Sequence, residues 1–158
     1  MNKRGFTLIE LMVVVVIVGV LAILAIVRFR GVGDKARYSQ AKTFLKSIYL
    51  ALQEFYMENG CYPADVVRNT PPPGIVPNYM LEWPTVDRDP FGAMYDYEAW
   101  KSGSHYWIGV VYFGKDQNRN GGVGSGSAYV TANNPPGSID KYEDDLFITV
   151  APKGIVCN

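Results

Sequence analysis

Apolar positions along the chain fall into two regimes. Residues 6–27 are almost continuously apolar, and the one charged side chain in that run is Glu10. A helix over this run rises about 33 Å, close to the ~30 Å of bilayer hydrocarbon, so the pattern predicts a hydrophobic transmembrane helix over residues 6–30. From residue 34 to residue 59 the apolar positions become periodic. Ala41, Phe44, Leu45, Ile48, Leu52 and Phe55 recur at spacings of three and four, while Lys35, Lys42, Lys46, Gln53 and Glu58 lie mostly off that stripe. The helix therefore continues in amphipathic form, and its one-sided stripe requires a sheet to cover. Asn59-Gly60 ends it, and Pro63 prevents its resumption. Phe44, Tyr49, Phe55 and Tyr56 are assigned to packing against that sheet.

Past residue 63 the pattern breaks into short pieces. Pro71-Pro-Pro-Gly74 and Pro77 mark an extended loop, Met80-Leu81 a short turn or helix, and Asp89-Pro-Phe-Gly92 a turn. Residues 94–97 alternate as a strand does, residues 106–113 give the strongest strand signal, and residues 146–150 give a third. One long helix, a loop, and three or four antiparallel strands make an α+β fold. No repeat and no long linker sets apart a second domain, so residues 31–158 form one head.

Charge and composition remove several classes of function. The 158 residues carry 15 Lys and Arg against 15 Asp and Glu, so no basic excess marks a nucleic-acid partner. His105 is the one histidine, and no nucleophile elbow or metal-binding His/Cys pattern accompanies it. Residues 121–126 are Gly-rich but lack the Lys-Ser/Thr of a phosphate-binding loop. No enzyme activity is expected. Asp116-Gln-Asn118-Arg-Asn120-Gly121 matches the opening of a calcium loop, D-x-[DN]-x-[DN]-G, but Ser127 stands where an EF-hand needs a bidentate Glu. An EF-hand is rejected. A partial cation loop and a solvated Asn/Gly turn both remain open.

The apolar run admits other readings. A secretory signal peptide has a shorter apolar core, and the nearest small-residue site, Gly31-Val32-Gly33, follows Arg28 and Arg30. A simple anchor leaves Glu10 unaccounted for, since an acid within a membrane segment is costly and marks function by default. The whole opening, Met1-Asn-Lys3-Arg4-Gly5-Phe6-Thr-Leu-Ile-Glu10, resembles the class III signal of type IV pilins and pseudopilins. The resemblance implies a leader at residues 1–5, cut after Gly5 by a prepilin peptidase. It implies N-methylation of the new terminus at Phe6, and filament assembly directed by Phe6 and Glu10.

Later motifs extend the likeness. Asn59-Gly60-Cys61-Tyr62-Pro63 and Asp89-Pro-Phe-Gly92 followed by Tyr95-x-Tyr97 are similar to the major pseudopilins of type II secretion. They imply the pilin fold, with a long N-terminal helix packed on a small antiparallel sheet. They also imply a calcium site built from Asp116, Asn118 and Asn120 with Asp144 and Asp145, although residues 124–143 exceed the family's short link. The family places the head outside the inner membrane, against the positive-inside preference of Arg28, Arg30, Lys35 and Arg37. An oxidising compartment then favours a Cys61–Cys157 disulfide. The apolar helix lacks the late Pro common in the family, which leaves Gly19, or Gly31 and Gly33, for any local unwinding.

The function implied is a pseudopilin of type II protein secretion. Its partners are further copies in a helical homopolymer, the prepilin peptidase, an inner-membrane assembly platform and minor pseudopilins. Before assembly it sits in the membrane as a single pass with the head in the periplasm. The alternative is the subunit of an extracellular pilus serving adhesion, twitching or DNA uptake, the last being the one case that calls for nucleic acid. A different class is a monomeric tethered binding protein working through residues 71–83 and 125–142.

Overall fold

The computed structural model describes residues 6–124, 126–130 and 134–157, leaving out the side chains of 25–30. Helix α1 covers Leu8–Asn59. Its start has a local cause. The Thr7 N–H and hydroxyl donate to Glu10 Oε2 at 2.9 and 2.7 Å, and the Glu10 N–H donates back to Thr7 Oγ1 at 3.4 Å. This reciprocal capping box satisfies donors that a helix N-terminus otherwise leaves open. The other end is set by Gly60, whose φ of 72° is unfavourable for residues with a Cβ and whose N–H closes onto Tyr56 O at 2.8 Å. In the single chain the helix runs unbroken through Gly19, Gly31 and Gly33.

The chain divides into two compact units, Met1–Ala36 and Arg37–Asn158. In the first, the large apolar side chains of residues 8–24 range from 50 % exposed at Val14 to 79 % at Leu8. Among the described residues no helix is long and apolar enough to cross a membrane. Residues 8–24 alone rise roughly 25 Å, less than the hydrocarbon thickness. The span expected over residues 6–30 also draws on residues 25–30, whose side chains lie outside the description.

In the second unit four strands form one antiparallel sheet: β1 (Tyr95–Ser102), β2 (His105–Tyr112), β3 (Ile139–Tyr142) and β4 (Asp145–Gly154), in the order β1-β2-β4-β3. Tyr95 pairs with Tyr112, Val111 with Phe147, and Ile139 with Ile148. One face lies under the amphipathic half of α1. Ala41, Leu45, Ile48 and Leu52 are fully buried with Tyr95, Tyr97, Ile108, Val110, Tyr112, Leu146, Ile148 and Val150. Each large aliphatic side chain buried in this way contributes about 1.5–3 kcal/mol. Phe44 and Phe55 pack at the margin of this core, and Ile75 pins the Pro-rich loop into it. The α+β fold is therefore the expected one, with the fourth strand settled. β3 lies inside the segment that has no counterpart in the sequence resemblance, and Ile139 is its one contribution to the core.

The opposite face of the sheet is covered as well. Trp100, Trp107, Val111, Phe113 and Phe147 form a second cluster beneath Tyr129, which comes from the long β2–β3 connection. Cys61 and Cys157 form the expected disulfide, with Cα atoms 5.1 Å apart and a sequence separation of 96. Backbone bonds flank it on both sides: Tyr62 N–H to Ile155 O at 2.7 Å, and Cys157 N–H to Tyr62 O at 2.8 Å.

Candidate functional site

Two groups of residues carry the candidate chemistry, and they lie in different units. At the N-terminus, Gly5 falls outside the described residues, while Phe6 is 82 % exposed and precedes the helix cap. Within the described chain Glu10 has Thr7 as its hydrogen-bond partner. The signal for this cap was present in the sequence, since Thr7-Leu-Ile-Glu10 has the T-x-x-E spacing of a capping box.

The second group is built where the turn after β2 meets the start of β4. Asp116, Asp144 and Asp145 each bring a carboxylate oxygen within 4.8 Å of the others. The turn is locked on Asp144. Its Oδ2 accepts the Asp116 N–H at 2.9 Å and its Oδ1 accepts Asn120 Nδ2 at 2.7 Å. Gly114 permits this approach: at φ 63° a Cβ there would sit 2.2 Å from the Asp144 carbonyl oxygen. Tyr38 on α1 donates to that same carbonyl at 3.0 Å. The Asn120 N–H donates to Asp145 Oδ2 at 2.8 Å, so Asn120 bridges both acids. Asn118 instead turns its amide back onto the Asp116 carbonyl at 2.9 Å. Of the five residues predicted for a calcium site, the fold thus gathers Asp116, Asn120, Asp144 and Asp145, with Asn118 at the rim.

The donor set fits a hard divalent cation. All its side-chain donors are oxygens or carboxamides, with no imidazole or thiolate, which suits Ca²⁺ or Mg²⁺ rather than zinc. Asp145 is fully buried, and its Oδ1 has no hydrogen-bond partner. Burial pushes the Asp145 carboxyl above its usual range, the Tyr129 hydroxyl and Asn120 N–H pull it down, and Asp144 and Asp116 push it up again. Three carboxylates held this close repel one another unless a cation or protons intervene.

Sequence reasoning missed three residues around this site. Tyr129 donates its hydroxyl to Asp145 Oδ2 and accepts the Gly121 N–H at 2.7 Å. The long connection therefore clamps the acids instead of spreading them. Arg119 sends its guanidinium to Asp96 and Glu98 on β1, its side chain 5 % exposed. Asp89, read as part of a turn, is a buried acceptor for the Phe91 and Ala93 N–H groups and the hydroxyls of Tyr95 and Tyr112. None of these roles leaves a periodic trace, because each joins residues distant in sequence.

Comparison with known proteins agrees with both regions. The description "Prokaryotic N-terminal methylation motif" matches residues 1–26, and "Type II secretion system (T2SS), protein G" matches residues 28–131. Among similar proteins, the type II secretion system core protein G of Vibrio cholerae is 33 % identical over 80 % of this chain and 89 % of its own length. The core protein G of Pectobacterium carotovorum is 34 % identical over 73 % of this chain and 78 % of its own. The type IV major pilin protein PilA of Myxococcus xanthus is 49 % identical, but over 39 % of this chain and 28 % of its own length. No solved structure matches. The protein G match takes in the amphipathic half of α1, β1, β2 and the turn with Asp116 and Asn120, whereas the likeness to that pilin is confined to 61 residues. The chain belongs to the type II secretion system protein G family, within the wider group of pilin-like proteins that carry the N-terminal methylation motif.

Proposed function

We propose that this chain is a structural subunit of a type II secretion pseudopilus. It is cleaved after Gly5, methylated at Phe6, and assembled through the first half of α1. The observation that carries the reading is the union of two features in one helix: an uncovered apolar half opening on Phe6 and Glu10, and an amphipathic half closed under a protein G head. An α-amino group at Phe6 of one copy opposite the Glu10 carboxylate of another offsets two desolvation costs with one pairing. That pairing also sets the axial step between copies. The apolar side chains supply the packing surface, and Gly19 permits close helix approach. The inner-membrane assembly platform and minor pseudopilins are the partners that this role requires.

The head's part is to present a rigid outer surface. We infer that one Ca²⁺ lies among Asp116, Asn120, Asp144 and Asp145, where it supplies positive charge that relieves the three acids and fixes the turn to β4. The unpartnered Oδ1 of buried Asp145 supports this reading.

The short, strong likeness to a type IV major pilin favours a second reading, a surface pilus subunit. Deletion of the gene separates the two. A pseudopilin deletion traps folded exoproteins in the periplasm with motility intact, and the full-length chain restores their release. Intact secretion with loss of extracellular filaments or twitching would assign the chain to a pilus.

A further inference from the structure

Within the candidate cation loop the side chains alternate in direction. Asp116 and Asn120 meet the acids at the start of β4, while Arg119 points the other way, into the sheet. There its guanidinium lies 5.6 Å from the centre of the Trp100 ring and 5.1 Å from that of Phe113, and it pairs with Asp96 and Glu98. Asp96 and Glu98 are the residues of β1 that alternate with the inward-facing Tyr95 and Tyr97.

As a stability device this arrangement is poor. One buried cation faces two buried carboxylates. Arg68 approaches Asp96 only to 3.9 Å from a side chain 59 % exposed, and Arg119 Nε and Asp96 Oδ1 have no partner. Apolar residues filling the same space commonly stabilise at least as well as buried ion pairs, whose best-attested benefit is conformational specificity. Asn120 is the next residue along the chain from Arg119. The Asn120 N–H and amide hold Asp145 and Asp144 respectively. Groups behind a metal's direct ligands commonly set affinity by fixing ligand orientation.

We propose that Arg119 is the positioning residue of the calcium loop, anchoring the turn to Asp96 and Glu98 so that the oxygens of Asp116, Asn120, Asp144 and Asp145 converge. This rests on the calcium reading given above. It also opposes a simple field argument, in which removing a positive charge next to a cation site tightens binding.

The test is calorimetric titration of Ca²⁺ into the full-length chain in detergent, after chelation, with melting recorded in chelator. At about pH 8.5, above the range in which buried Glu98 holds its proton, the double substitution Glu98→Gln with Arg119→Met keeps the net charge of the three-residue group unchanged, so its effect reports geometry rather than field. Arg119→Lys retains the charge but loses the guanidinium fork, and it serves if the double variant does not fold. The expected result is a loss of about tenfold or more in Ca²⁺ affinity for the double variant, with a smaller loss for Arg119→Lys. In chelator the double variant should melt below the parent, because buried Asp96 is left with Arg68 alone at 3.9 Å, whereas Arg119→Lys should melt closer to the parent. Unchanged or tighter binding by folded variants overturns the positioning role while leaving the calcium site intact. A parent chain that shows neither heat nor a melting shift with Ca²⁺ overturns the calcium reading, and the positioning role with it.

Discussion

The two halves of α1 meet the same requirement, burial of apolar surface, by opposite means. In residues 41–52 the stripe is closed within the chain: Ala41, Leu45, Ile48 and Leu52 are 0 % exposed against the sheet. In residues 8–24 apolar side chains surround the helix, and even Val14, the least exposed large one, is 50 % exposed. A helix with a polar back finds its cover in its own fold, whereas one apolar all round needs lipid or other copies. Head stability and assembly are thus written in different stretches of one element, and substitutions should separate them.

The largest effect belongs to the first half. Glu10→Ala removes the acid that would pair with a neighbour's terminus. Cross-linked multimers and exoprotein release should be lost while the melting of the chain in detergent stays put. Equal multimer formation would break the comparison. Next comes the head's staple. Replacing Cys61 and Cys157 with Ser opens a 96-residue loop, which lowers head stability by about 4 kcal/mol and its melting by roughly 10–15 °C. Membrane extraction should be unaltered.

Leu45→Ala should cost the head about 2–5 kcal/mol through the cavity it leaves, measured by urea denaturation. Val14→Ala, the same kind of change in the exposed half, should leave that transition unmoved.

The smallest effect is one of pH. Burial pushes the Glu98 carboxyl from 4.5 up to about 7, against the pull of Arg119 and with a further push from Asp96. Asp96 is raised in the same direction, first by burial. A raised folded-state value means that the head holds a proton that the unfolded chain has released. This contribution to stability is full below about 4.5 and fades as the pH rises through about 7. In chelator the head should therefore melt a few degrees higher at pH 5 than at pH 7.5, and Glu98→Gln should flatten that slope.

How much of this was legible in the sequence follows the same division. The stripe of Ala41, Leu45, Ile48 and Leu52 was readable because a helix repeats its contact with a sheet every three or four residues. Strands β1, β2 and β4 were readable from runs of aromatic and β-branched residues, β2 at its full length and β1 and β4 shorter than they are. The outer face of the sheet was not. Its cover depends on single side chains, Arg119 and Tyr129, reaching from coil to Asp96, Glu98 and Asp145, and such long-range polar contacts have no period. Asp116 and Asp144 were named because a short motif and a resemblance pointed to them. What joins them, a turn locked by Gly114 and Asn120, is a matter of backbone geometry.

The account's central claim, that the first half of α1 acts between molecules as a processed pilin-like terminus, is tested most directly by intact mass. The chain would be extracted from cell membranes and weighed with and without reductant. The account predicts a chain that begins at Phe6, carries one added methyl group, and gains two hydrogens on reduction of Cys61–Cys157. A chain beginning at Met1, or after Gly33, would contradict it.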